Sequence, residues 1–429
     1  MLKRLVFVGL LVSLFAAGLF AAGCSKEKEE TTSGPTPSGS PAPGVTDTQI
    51  LLGTHLPLSN SPAAAYAPAA DGMRAYFDYI NSQGGVYGRK IKLIVADDHF
   101  SPPDALEAVR RLVEQDGVLA IVGGLGDPTV TAIKSYLEQN GVPDLWVAAG
   151  LPSLSDPVEH TRFVVFADYA TGANVDAAYL KENYPGKTLG IVVENSASGT
   201  SGENALLNLL KDSGIKVVSR QLFESTSFDL TGQMQRMKAD NPDVIYIAGN
   251  AGASANAVKV TREVLDWDAP IFMSGIGAIE MTIALAGAKN MEGVVAETIG
   301  KMFSEKDDPG VKLHIDLMKQ FTPEVTPSSI TEFGMAQAEY TVEALKNAGP
   351  NLTRESLIDG AEKIRDFCCL TCLVPVNLSP TDHRVAETFW YEKVVNGQWV
   401  RFGDPISFES TPGGATACKG PGEPVYPGE

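Results

Sequence analysis

"VLAIVGGLGDPTVTAIKSYLEQNGVPDLWVAAG", Val118 to Gly150, decides the fold. It opens as an apolar, β-rich run that ends in glycines. Asp127-Pro128 then starts a helical stretch that stops at Gly141, and a second strand follows from Val142. A strand that turns through glycines into a helix points N–H groups at whatever sits beyond the strand end.

The same alternation extends in both directions. Upstream, "QILLGTHLPL" reads as a strand. "AAYAPAADGMRAYFDYINSQGG" reads as a helix, with Met73, Phe77 and Ile80 at helical spacing and Gly84 as its stop. "RKIKLIVADD" and "SPPDALEAVRRLVEQDG" give another strand and helix, and "DDHF", 97–100, reads as a solvated strand-end loop. Downstream, "RFVVFADYATG", 162–172, reads as a passage between two sheets, after which the rhythm restarts at "KTLGIVVE". Beyond residue 300 the pattern turns helical, then ends in "ETFWYEKVVNGQWVRFG", a hairpin signal around Asn-Gly. Alternating apolar strands and helices mean an α/β protein with mainly parallel sheets, and there are too many units for one small sheet.

The chain has 429 residues, long enough for two or three domains, and is 44% hydrophobic and 20% charged, as ordinary globular proteins are. Its start is different. Lys3 and Arg4 precede "LVFVGLLVSLFAAGLF" and "AAGC", a secretory leader ending at Cys24 in the manner of a bacterial lipobox, with Ala21 in place of the usual Leu. An uncleaved membrane anchor is the rival reading. "SKEKEETTSGPTPSGSPAPG", 25–44, has nothing apolar to bury and reads as a disordered tether. The expected protein is therefore exported and held at a membrane by a lipid on Cys24. A net charge of −18, or −20 without Lys3 and Arg4, argues against nucleic acid or an anionic membrane surface as partner. Cys368, Cys369, Cys372 and Cys418 are an even set in an exported chain, which suggests disulfides in one of three pairings; a zinc site using Cys369-x-x-Cys372 is the alternative.

"THLPLSNSPAAAYAPAADGMRAYFDYINSQGGVYGRKIKLIVADD", "LVEQDGVLAIVGGLGDPT", "VPDLWVAAG" and "PVNLSPTDHR" together resemble the branched-chain amino-acid ABC transporter substrate-binding proteins, the Leu/Ile/Val type. The resemblance runs over about residues 46–410. It implies two interleaved Rossmann-like lobes joined by three crossing strands, the type I periplasmic-binding fold, with an ABC importer permease as partner. By that analogy residues 1–23 are the signal peptide and 24–45 the tether. Lobe one is 46–166 plus 298–375, lobe two is 167–297 plus 376–410, and 411–429 is a tail.

Position matching then gives the candidate pocket. A small hydroxyl residue that contacts the ligand's charged groups is replaced by Asp127, which also reads as a helix cap. The loops presenting the site contribute Leu125, Gly126, Ala149 and Gly150. Pro152 stands where a hydroxyl residue is expected, leaving Ser153 as its substitute. Ser198 replaces an aromatic, and Ile276 replaces the acid that pairs with the ligand ammonium. Tyr66 matches an aromatic wall residue, and Asn250 ends another cleft-facing strand. With these ion-pairing groups absent together, the expected ligand is not a standard α-amino acid.

No G-x-S-x-G, H-E-x-x-H or P-loop occurs, and "GGLGDPT" only approaches G-x-G-x-x-G, so neither enzyme chemistry, a cofactor nor a metal is expected. "SPTDH", 379–383, reads as a turn into the last crossing. The alternative to a transport receptor is a sensory module working with a separate membrane signalling protein.

Overall fold

The computed structural model describes residues 42–59, 61–224, 226, 227, 229–408 and 418. The leader, Cys24 and most of the tether and tail lie outside the described residues. No helix among the described residues is long and apolar enough to cross a membrane.

The first half of the chain alternates as read: β1 (Gln49–Leu56), α1 (Ala69–Ser82), β2 (Lys90–Asp97), α2 (Pro102–Arg110), β3 (Ile121–Val122), α3 (Asp127–Gln139), β4 (Asp144–Val147) and β5 (Arg162–Phe166). A second series follows: α4 (Tyr169–Asn183), β6 (Thr188–Glu194), α5 (Ala197–Leu210), β7 (Lys216–Phe223), α6 (Thr231–Asp240), β8 (Val244–Ala248), α7 (Ala251–Lys259), β9 (Ile271–Met273), α8 (Glu280–Ala286), α9 (Ala288–Met291) and β10 (Val295–Thr298). The chain then forms α10 (Pro309–Phe321), α11 (Ser329–Ala348), α12 (Arg354–Ala361), β11 (Arg384–Ala386), β12 (Thr388–Val395) and β13 (Gln398–Ser407).

These strands build two sheets. The first is all parallel in the order β11-β5-β4-β3-β1-β2. The second runs β13-β12-β10-β9-β8-β6-β7, parallel except for β12 and β13. Each sheet is covered on both faces, the arrangement that explains its unbroken apolar strands. One face of the first packs on Met73, Phe77 and Ile80 of α1 with α10–α12, and the other on α2 and α3. In the second sheet α6–α8 cover one face, and α4 and α5 the other. Helices α1 and α11 meet almost backbone to backbone: a Cβ on Gly72 would lie 2.0 Å from the Thr331 carbonyl oxygen, and one on Gly334 1.9 Å from that of Ala69.

The chain passes between the sheets three times, at β5–α4, β10–α10 and β11–β12. The last passage corrects the sequence reading, which began the return to lobe two at residue 376. Strand β11 pairs with β5 in the first sheet, and the segment before it bonds there too, Leu378 N–H to the Ile364 carbonyl and Val376 N–H to that of Phe367. His383 stacks on Phe163, with ring centroids 3.8 Å apart. The crossing therefore falls at Glu387. Asp98 departs from the solvated loop read at "DDHF": it is buried, and its Oδ2 lies 2.7 Å from Nδ1 of buried His55.

The four cysteines form two disulfides, Cys368–Cys418 and Cys369–Cys372, so Cys369 and Cys372 hold each other instead of zinc. Cys418 N–H also bonds to the Leu373 carbonyl, which fixes one point of the tail on the first lobe.

Candidate functional site

Both sheets have a switch point, where successive strands leave in opposite directions: β1 lies between β2 and β3, and β6 between β7 and β8. Open α/β sheets take ligands in the crevice beyond strand ends at such points. Tyr66 follows β1, Asp127 follows β3, Ser198 follows β6, Asn250 follows β8 and Ile276 follows β9. The fold brings these five to one cleft edge through short loops.

Asp127 is the centre of the arrangement. It is buried, the first residue of α3, with Gly126 before it at φ 107°. Its side chain does not cap α3, which corrects the capping role read from the sequence. Oδ1 accepts from the N–H groups of Gly150 (3.0 Å) and Leu151 (3.2 Å). Oδ2 accepts from the hydroxyls of Tyr169 (2.7 Å) and Ser198 (2.8 Å). Tyr169 and Ser198 belong to α4 and α5, which cover the second sheet, so Asp127 spans the cleft. Burial, with the Asp127 charge beside it, pushes the Tyr169 hydroxyl well above its usual range, so it remains a neutral donor. Ser198 is placed by its neighbour: a Cβ at Gly199 would lie 2.0 Å from the Glu194 carbonyl oxygen.

Tyr66 makes a second crossing. Its hydroxyl donates to the Ile276 carbonyl (3.2 Å). Burial, with the charge of Glu194, pushes its pKa up to about 12. A third crossing joins Ser329 of α11 to Glu280 of α8.

The remaining candidates divide. Asn250 caps α7, accepting from Ala253 N–H at 3.1 Å, and donates a long bond of 3.4 Å to Glu194. Leu125 pairs with Ala148, and its carbonyl accepts from Thr129. Ala149 is buried beside Gly150. Ile276 contributes its carbonyl, while its side chain is 40% exposed. Ser153 is not brought to the cluster: it is exposed, and its carbonyl accepts from Lys134 at 2.8 Å.

Two site residues went unread. Tyr169 follows the crossing strand β5 in "FADY", and a hydroxyl just past a strand end was the available signal. Glu194 ends β6 and is half-buried between Asn250, Ser196 and the Tyr66 wall. Burial, and then the neighbouring carboxylates of Asp127 and Glu224, push its pKa up against the bonds from Ser196 and Asn250. Behind the cleft lies a second acidic feature. Asp176 and Glu297 are buried against each other; Tyr246 donates to Asp176 (2.7 Å), and Gly275 N–H donates to Glu297 (2.6 Å). The pair thereby holds the turn that carries Ile276.

Residues 49–398 match a family model described as periplasmic binding protein. The chain belongs to the periplasmic binding proteins. Among curated proteins it is similar to Leu/Ile/Val-binding proteins. It is 28% identical to Leu/Ile/Val-binding protein BraC3 of Rhizobium johnstonii over 47% of this chain and 54% of that protein, so it spans about half the length of this curated relative. Two solved structures share the fold. A fatty acid ABC transporter substrate-binding protein from Thermomonospora curvata is 23% identical with a TM-score of 0.74, covering 86% of this chain and 95% of the other. A branched chain amino acid ABC transporter from Thermus thermophilus with bound valine is 18% identical with a TM-score of 0.76, covering 85% and 97%. The type I architecture read from the sequence is thus shown, and family members are substrate-binding proteins rather than enzymes.

Proposed function

We propose that this periplasmic binding protein is an extracytoplasmic lipoprotein, anchored through Cys24, that captures a small organic ligand between its lobes and delivers it to an ABC importer. The observation that carries the reading is the set of hydrogen bonds that Asp127 accepts and Tyr66 donates across a cleft flanked by two switch points. Hinge closure around a ligand is the motion such a cleft supports. The named ligands of the two structural relatives, valine and a fatty acid, both contain a carboxylate. Here Asp127 occupies the cleft, and Ile276 offers no charge to an ammonium, so the ligand is not an unmodified α-amino acid.

Thermal unfolding of residues 45–429 against leucine, isoleucine, valine, their amides, urea, short fatty acids and aromatic acids tests this. A ligand at 100 times its dissociation constant adds about 2.7 kcal/mol. A saturable shift with a compound other than an amino acid supports the proposal, and a flat response across the panel opposes it. Loss of the protein from the membrane fraction on Cys24→Ser tests the anchor.

A further inference from the structure

Four donors converge on one side chain in the cleft: the Gly150 and Leu151 N–H groups on Oδ1 of Asp127, and the Tyr169 and Ser198 hydroxyls on Oδ2. They come from three separate segments and from both sides of the cleft. A carboxylate presents two oxygens with room for about four donors, and this set fills them. The same set without Asp127 is a receptor for a free carboxylate. The chain has supplied that anion itself.

Glu194 completes the picture. It lies close enough to Asp127 and Tyr66 for its charge to act on both, yet among the described residues its own donors are only the long bond from Asn250 and one from Ser196. Among the described residues no Lys, Arg or His forms an ion pair with Asp127 or Glu194, and the charges acting on Glu194 are those of Asp127 and Glu224. An incoming carboxylate would meet two carboxylates and a donor set already in use. A group with N–H donors would meet the unfilled acceptor capacity of Glu194.

We propose that Asp127 is an internal carboxylate filling the cleft's own anion receptor, so that the ligand has no carboxylate and presents N–H donors, amide or amine, to Glu194. This rests on the cleft being the ligand site, as proposed above.

The test puts three heads on one tail: isovalerate, isovaleramide and isoamylamine, titrated into residues 45–429 by calorimetry. Wild type is expected to bind the amide or the amine at least tenfold more tightly than the acid, the better of the two distinguishing a neutral from a cationic ligand. Glu194→Gln is expected to weaken that binding at least tenfold. Asp127→Ala opens the receptor and is expected to bind isovalerate, and acetate alone, saturably. Asp127→Ser serves the same purpose if the alanine variant does not fold by circular dichroism. Wild type that binds isovalerate as well as the amide overturns the proposal whatever the variants do. A folded Asp127 variant that ignores both acids also overturns it. If the variant takes acetate while wild type binds none of the three heads, the internal carboxylate stands and the Glu194 half fails. If, in addition, no compound of the wider panel binds wild type, the ligand-capture reading fails by itself.

Discussion

Asp127 and the Asp176–Glu297 pair are both buried acids near the cleft, and the protein accommodates them in opposite ways. Asp127 is surrounded by four donors. Asp176 and Glu297 face each other with one hydroxyl and one backbone N–H between them, which is too few donors for two charges. Burial raises Asp176 from its ordinary 3.8 to about 7 and Glu297 well above its ordinary range, so the pair holds a proton between its two carboxyls. A donor-filled carboxylate is a fixed feature of the cleft. A proton-filled pair ties the turn carrying Ile276 to pH.

The widest effect expected from this contrast is in lobe two. A folded-state pKa above the unfolded one gives stability that is complete below about pH 4 and lost as pH rises towards 7. Denaturant titrations at pH 4 to 8 are expected to show stability falling across this window, and Asp176→Asn to flatten the fall. Next is Asp127→Ala, which strands four donors and is expected to cost about 3 kcal/mol at pH 7 in the same assay without ligand. Tyr169→Phe removes one charge-assisted bond and is expected to cost about 1.5 kcal/mol. Tyr66→Phe removes the bond to the Ile276 carbonyl and is expected to cost about 1 kcal/mol. Glu194→Gln is expected to change stability by less than about 0.5 kcal/mol, because this carboxylate has few partners to lose. An Asp127 effect no larger than that of Glu194 would erase the distinction between a filled and an unfilled acid.

The contrast also explains what the sequence could tell. Strand–helix alternation is local, so the two α/β series, the passage after β5 and the Asn-Gly hairpin were legible. Asn396 and Gly397 both have positive φ, 51° and 73°, as that turn requires. The last crossing was not legible, because β11 is three residues long and its membership depends on pairing with β5, far away in sequence. Asp127, Tyr66, Ser198 and Ile276 came from position matching to the family that the sequence resembles, and each follows a strand end in the fold. The role of Asp127 could not be read, because all four of its donors come from residues that no local pattern links to it. Asp176 and Glu297 were invisible for a related reason: each is a lone acid in an apolar run, where a charge ordinarily marks an exposed face. Ser153 failed because the loop after β4 turns it outward.

The most direct test of the account is a calorimetric titration of residues 45–429 with L-leucine at pH 7. The account predicts no saturable heat, because Asp127 already fills the cleft's anion receptor and Ile276 leaves an ammonium without its acid. Saturable binding with a one-to-one stoichiometry would contradict it and make this an ordinary branched-chain amino-acid receptor.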